Sequence, residues 1–388
     1  MKERYEIINK IIEISPMYGE FSNINTVKKE SYIYKLYEND KLGMYICEKP
    51  IDDEIGFEKA GENLNIFYPY IQSSNVQMNV IANKQKYNIK ELSTIVENIS
   101  NAVKEIDSEA SLVYKRQEFA HNMTNSVSLH LNYEDMEHSF YLKSKEQNIT
   151  LNYKKLDEEI INSELLQIVN AINRPSENVK VSDFKYFIIP SSNEQIYDYF
   201  EKILHPKYVK ENNLLNKQLF SDKINLYTSL NYEDKHSLKY KNLAFFDFEG
   251  SYNQYYKNVL IRDGQVVKPY SDKRLEQEYE TENTACSYLD NDHNFCCGLI
   301  GAHIEPTNTD FDEKSALLLP FSEIEYDGDF ITINAKSAFY KNLADSLCKI
   351  DDFIYKADIK KLFSENFVGT TDKYKLSGDM ANGLIFKF

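Results

Sequence analysis

The sequence is short of positive charge. Sixty-one acidic residues stand against 45 basic ones, a formal net charge of −16. Nucleic-acid affinity rests on Lys and Arg neutralising phosphates, so this balance argues against a nucleic-acid partner. No apolar run approaches the roughly 18 residues that a membrane-spanning helix needs, which argues against a membrane protein of that kind. The N-terminus (MKERYE) carries acids and lacks the continuous apolar stretch of a signal peptide, so the expected compartment is the cytoplasm. The five cysteines, Cys47, Cys286, Cys296, Cys297 and Cys348, are odd in number and scattered, and do not form a disulfide framework. The seven histidines include no pair a helical turn apart, so no helix of this chain can grip a metal ion between two of them. Tryptophan is absent, and the aromatic content rests on 30 Tyr and 22 Phe, from which no site is read.

What is present reads as an α+β protein in two domains. Apolar residues at Tyr5, Ile8, Ile12 and at Ile7, Ile11, Ile14 predict a helix over 3–14, stopped by Ser15-Pro16. Residues 32–37 and 42–47 read as a hairpin, and 64–67 and 76–80 as strands. Asn88 followed by Glu91 is a reciprocal cap, and Ile89, Leu92, Val96, Ile99, Val103 and Ile106 line one face of the helix it opens, over 89–106. Strands are expected at 112–118, 127–131 and 140–143, and a helix at 156–173 that stops before Pro175. Residues 1–175 thus form one α+β unit, with its boundary in the polar stretch 175–181. The second domain, 176–388, is richer in strands. It opens with a strand at 184–189 and a helix over 192–204. Strands at 224–227, 299–304 and 330–333 follow, then a helix over 338–350 and closing strands near 367 and 384–388.

The second domain is organised around residues 246–270. An acidic–aromatic knot, Phe246-Asp247-Phe248-Glu249-Gly250, precedes two strands joined by Asp263-Gly264, a strong hairpin signal because glycine supplies the positive φ that the turn needs. Asp247 and Glu249 can be read as a carboxylate pair for acid–base work or as acceptors for backbone N–H groups in a tight turn before Gly250; the second reading is preferred. Phe246, Phe248, Tyr252, Tyr255 and Tyr256 give the loop an aromatic rim, suited to core packing or to a subunit or peptide contact. Cys296 and Cys297, with His293 and His303 nearby, offer two thiols and two imidazoles. Adjacent cysteines rarely ligate one tetrahedral ion, no orienting third residue accompanies them, and Cys296-Cys297-Gly298-Leu299-Ile300 reads as the start of a buried strand.

The order of these parts resembles the TldD/PmbA family, the "modulator of DNA gyrase" proteins. The resemblance is carried by the FDFEG knot, the VLIRDGQV hairpin, Gly301-Ala302-His303-Ile304-Glu305-Pro306-Thr307-Asn308, and Leu376-Ser377-Gly378-Asp379 followed by Gly383-Leu384-Ile385. It is clearest from about residue 184 onward. Catalytic members of that family carry HExxxH on the helix matched here by 192–204, which has no histidine; His205 lies just past it. The knot reads FDFEG where the family has FDDEG. Residues 310–334, with Gly328 their only glycine, replace a longer glycine-rich segment, which implies a reduced chamber wall.

The resemblance therefore implies the metal-free PmbA/TldE-type branch. It implies a non-catalytic subunit that pairs with a TldD-like HExxxH metallopeptidase chain and closes a chamber in which unstructured peptides, including modified ones, are cleaved or matured. The zinc or iron ion would lie in that partner, with no metal or catalytic residue in this chain. Phe246, Asp247, Glu249, Gly250 and Tyr252 are the residues expected to face an extended peptide. The alternatives are a stand-alone peptide-binding or regulatory homodimer without catalysis, and an enzyme using the Cys296/Cys297 region.

Overall fold

A computed structural model describes the chain except residues 17–21, 69–75, 84–86, 146, 176–178, 231–243, 253–256, 291–293, 308, 343–346 and 373–381. Three strands, β1 (Lys2–Ser15), β2 (Asn23–Glu38) and β3 (Lys41–Cys47), open the chain. Helix α1 (Asp53–Gly61) and strands β4 (Ile66–Phe67) and β5 (Gln77–Ile81) follow, then helix α2 (Ile89–Ile106). Strands β6 (Ser111–Asn125), β7 (His130–Ser144) and β8 (Gln147–Tyr153) lead into helix α3 (Glu158–Asn173). Among the described residues these strands make one eight-stranded sheet, ordered β4-β3-β2-β1-β6-β7-β5, with β8 also paired to β7. Every pairing is antiparallel except β5 with β7.

Helix α2 forms where the sequence places it. The Asn88 side chain accepts from Glu91 N at 2.9 Å, and Glu91 Oε2 accepts from Asn88 N at 3.0 Å, so two otherwise orphaned amides of the first turn are satisfied. Residues 3–14 are strand β1, not a helix. Tyr5 and Ile7 face one apolar cluster and Ile12 and Ile14 another. Side chains alternate across a strand, so odd and even positions lie on opposite faces. The buried face changes in mid-strand, and that change of phase imitates helical spacing. The strand expected at 127–131 begins only at His130 and continues unbroken through 140–143 as β7, while Val127 lies in the turn before it.

The second half begins with β9 (Tyr186–Pro190), then helices α4 (Gln195–Ile203) and α5 (Pro206–Glu211). Strands β10 (Leu226–Ser229), β11 (Lys257–Arg262) and β12 (Gln265–Val266) precede helix α6 (Lys273–Tyr279). Next come β13 (Ser287–Leu289), β14 (Phe295–Cys297), β15 (Ala302–Ile304), β16 (Ala316–Leu318), β17 (Glu323–Asp327), β18 (Phe330–Lys341) and β19 (Leu347–Asp358). A short helix α7 (Ile359–Lys361) and strands β20 (Phe367–Thr371) and β21 (Gly383–Lys387) end the fold. Among the described residues a seven-stranded sheet runs β17-β18-β16-β9-β21-β20, with β19 on β18, and a smaller one runs β12-β11-β10-β15. The β11–β12 turn is the expected hairpin, with Asp263 at φ 48° and Gly264 at φ 75°. The helix expected over 338–350 is absent: Ala338 pairs with Ile350 and Tyr340 with Cys348 across β18 and β19. Residues 337–340 are buried on both faces, so the alternation that marks a strand is lost there.

Helices α2 and α3 share one apolar cluster with β1, β6, β7 and β8. That cluster also takes in Ile188, Ala316, Leu318, Phe339 and Ile385 from the seven-stranded sheet. No described helix is long and apolar enough to cross a membrane.

Candidate functional site

The knot docks against the eight-stranded sheet, at the end left uncovered by α2 and α3. Phe245, Phe246 and Phe248 join Tyr5, Ile33, Phe119, Met123, Leu129, Leu131 and Tyr133 in one buried cluster. Asp247 shapes the loop. Its Oδ1 accepts from Glu249 N at 2.9 Å and Ser251 N at 2.8 Å, and its Oδ2 accepts from Ser287 N at 3.2 Å. Gly250 N donates to Asp247 O at 3.0 Å, closing the reversal with Gly250 at φ 70°. The geometry is that of a carboxylate accepting the amides of a tight turn.

Glu249 is held differently. Tyr68 Oη donates to its Oε1, and Lys273 N donates to its Oε2 at 2.9 Å. Lys273 Nζ donates to Glu249 O at 2.9 Å. Burial, with repulsion from Asp247 and Asp272, pushes the Glu249 carboxyl up to about 8. Burial likewise raises Asp247, to about 6, against the pull of Lys273 and of its backbone donors. Asp272 caps α6, its Oδ1 accepting from Leu275 N at 2.7 Å.

A buried lysine completes the cluster. Lys35, on β2, is 0% exposed; its Nζ donates to Glu3 Oε1 at 2.7 Å and to Phe248 O, and lies 3.7 Å from the centre of the Phe248 ring. Burial lowers the Lys35 pKa, opposed by Glu3, Glu249 and Asp247. The cluster thus joins β1, β2, the knot and α6.

Phe246, Asp247, Glu249 and Gly250 are all buried, and Tyr252 is half-buried against Phe245. Tyr255, Tyr256, Asp292, His293 and 376–379 lie outside the described residues. Sequence reasoning missed Lys35, Glu3, Tyr68 and Lys273. In Tyr32-Ile33-Tyr34-Lys35-Leu36, the lysine looks like an ordinary outward side chain, and its partner on the knot is 213 residues away.

A separate cleft of ≈ 640 Å³ opens beside α4 and α5, lined by Asp198, Glu201, Lys202, His205, Lys207 and Tyr270 among others. The His205 ring caps α5, its Nδ1 accepting from Lys207 N at 3.3 Å, and stands edge-on to Tyr270. Its pKa is lowered by burial. No motif announced this cleft beyond His205 itself.

No protein-family model matches the sequence, and no curated protein matches it. Solved structures do. A Thermotoga maritima protein, provisionally described as a modulator of a DNA gyrase, is 12% identical with a TM-score of 0.72, over 100% of this chain and 95% of that one. TldE from Thermococcus kodakarensis is 16% identical with a TM-score of 0.70, again over 100% and 95%. A Bacteroides thetaiotaomicron protein, with the same provisional description as the first, is 10% identical with a TM-score of 0.65, over 100% and 93%. This chain has the TldD/PmbA fold. At such identities the likeness is one of fold.

The metal implied for catalytic chains of the TldD/PmbA fold does not fit the residues present. Helix α4, QIYDYFEKI, offers no imidazole. Among the described residues no group of three or more His, Cys, Asp or Glu is placed to hold a metal ion. Cys296 and Cys297 are consecutive on β14, paired to Tyr288 and Ser287, and His303 is buried on β15 against Tyr227.

Proposed function

We propose that this chain is the non-catalytic, TldE/PmbA-type subunit of a two-component metallopeptidase. It pairs with an HExxxH chain of the same fold, closes the chamber and holds an extended, unstructured peptide for cleavage or maturation. The observation that carries the reading is the fold match over the whole chain, to TldE among others, together with a helix α4 that has no histidine. The zinc or iron ion then belongs to the partner. A strand-rich wall suits peptide capture by strand addition, because main-chain hydrogen bonds tolerate many sequences. Four of the five expected peptide-facing residues are buried. Within this reading the knot positions the wall, and its half-buried margin at Tyr252 is the part available to a peptide or a subunit.

Co-expression with a candidate HExxxH sister chain, sought first in neighbouring genes, tests the proposal. A stable heterodimer is expected. Cleavage of unstructured peptides should appear with the partner and be absent from this chain alone, and the isolated chain should hold no stoichiometric zinc or iron by elemental analysis. Cleavage by the rigorously purified single chain would overturn the reading. So would close to one metal ion per chain surviving mild chelation, or failure of every sister chain to bind.

A further inference from the structure

The ribbon of β13 and β14 carries a second feature. Its register pairs Ser287 with Cys297 and Tyr288 with Cys296. Cys286, just before β13, is fully buried, and its Sγ lies 3.1 Å from that of half-buried Cys297. Gly298 N donates to Cys286 O at 3.2 Å, closing the root of the ribbon. Cys296 is turned elsewhere, toward Asp290 Oδ2 at 3.9 Å. Ser287 separates the two close thiols from the knot and holds it three times. Its amide donates to Asp247 Oδ2 at 3.2 Å, its hydroxyl oxygen accepts from Glu249 N at 3.0 Å, and its carbonyl accepts from Phe248 N at 3.1 Å.

We propose that Cys286 and Cys297 form a redox-convertible pair whose intrachain disulfide clamps the ribbon and, through Ser287, the knot. Two thiols already in contact need little backbone movement to join, whereas cysteines held far apart cannot be bridged. Hydrogen peroxide, small enough to reach a half-buried thiol, is the oxidant class. The Cys297 sulfur, as thiolate, attacks one peroxide oxygen. The O–O bond breaks, and the departing hydroxide takes up the thiol proton as water, leaving a sulfenic acid. The Cys286 sulfur then attacks the Cys297 sulfur. The S–O bond breaks, and hydroxide leaves with the Cys286 proton as a second water. Two thiols and one peroxide become one disulfide and two waters. Burial raises the pKa of both thiols, so the reaction is slow at neutral pH and accelerates as pH rises. The closed bond restricts the unfolded chain and stabilises the folded one.

The test treats the full chain with hydrogen peroxide at mildly alkaline pH, alkylates the remaining thiols and digests with chymotrypsin. Cleavage after Tyr288 and Phe295 separates Cys286 from Cys296 and Cys297. The expected result is a Cys286-to-Cys297 cross-link in the wild type and in Cys296→Ser, absent from Cys286→Ser and Cys297→Ser. The oxidised wild type should melt higher than the reduced chain, and dithiothreitol should reverse the shift. The proposal is overturned if both thiols stay alkylatable, if Cys297 passes to sulfinic acid without a link, if the link runs through Cys296, or if the link forms without raising the melting temperature. Wild type and Cys296→Ser decide the matter even if the substitution of buried Cys286 prevents folding.

Discussion

At Gly250 the backbone has φ 70°, and a Cβ built there would lie 2.8 Å from the Met123 sulfur and 3.0 Å from Leu129 Cδ2. Gly250→Val therefore meets both a strained backbone and an occupied space, and should lose roughly 2–4 kcal/mol of stability in chemical denaturation. Asp247→Asn keeps the size but turns an amide NH2 against one of three backbone donors. It should lose about 1–3 kcal/mol, less than Gly250→Val. If Asp247→Asn instead abolishes partner-dependent cleavage while melting and partner binding stay normal, the carboxylate acts in the chemistry and the turn reading is wrong. Glu249 gives a pH signature. Its carboxyl is raised from the usual 4.5 to about 8, so the folded chain binds this proton more tightly than the unfolded chain does. The associated stability is fully present below about 4.5 and is lost as pH rises through about 8. Stability measured across that window should fall with pH in the wild type and fall less in Glu249→Gln. An unchanged slope in the variant would show that Glu249 does not carry the titration.

Among the elements, those legible in the sequence were specified by neighbours along the chain. Helix α2 carries its own stripe and its own cap, and the β11–β12 hairpin carries its own turn. Asn88→Ala removes the acceptor for Glu91 N and should cost about 1 kcal/mol, read as a lower denaturation midpoint with unchanged slope. An equal midpoint would mean that tertiary packing alone fixes the helix start. The elements that were misread are those decided by distant partners. Strand β1 is fixed by pairing to β2 and β6, and its faces are buried by the knot at one end and by the helices at the other. Local periodicity could not show that change. Strands β18 and β19 pair through a segment whose apolar residues run together because both faces are covered. The site divides in the same way. The turn role of Asp247 was readable from the spacing of acid and glycine. The buried Lys35–Glu3 pair was not, because nothing near Lys35 in sequence marks it as inward-facing.

For the whole molecule, the question is whether the two halves of the chain can unfold separately. Two contacts argue against it. The cluster around α2 and α3 is completed by Ile188, Ala316, Leu318, Phe339 and Ile385, all from beyond residue 175. The knot is completed by β1, β2, β6 and β7, and Lys35 bonds the Phe248 carbonyl across 213 residues. Unfolding either half alone would strip apolar cover from the other, at about 25 cal/mol for each Å² exposed. It would also leave the Lys35–Glu3 pair without its third partner, a costly state for buried charge. The expected outcome is therefore one cooperative transition, with equal calorimetric and van't Hoff enthalpies and coincident curves from probes placed in each half. Lys35→Met should lower the midpoint by leaving Glu3 buried without its cation, and adding Glu3→Gln should recover part of the loss. Two resolved transitions in the wild type would refute the argument, because they would mean that each half keeps its core closed without the other. Two transitions appearing only in Lys35→Met would refine it, by locating the coupling in the ion cluster and not in the apolar contacts around the helices.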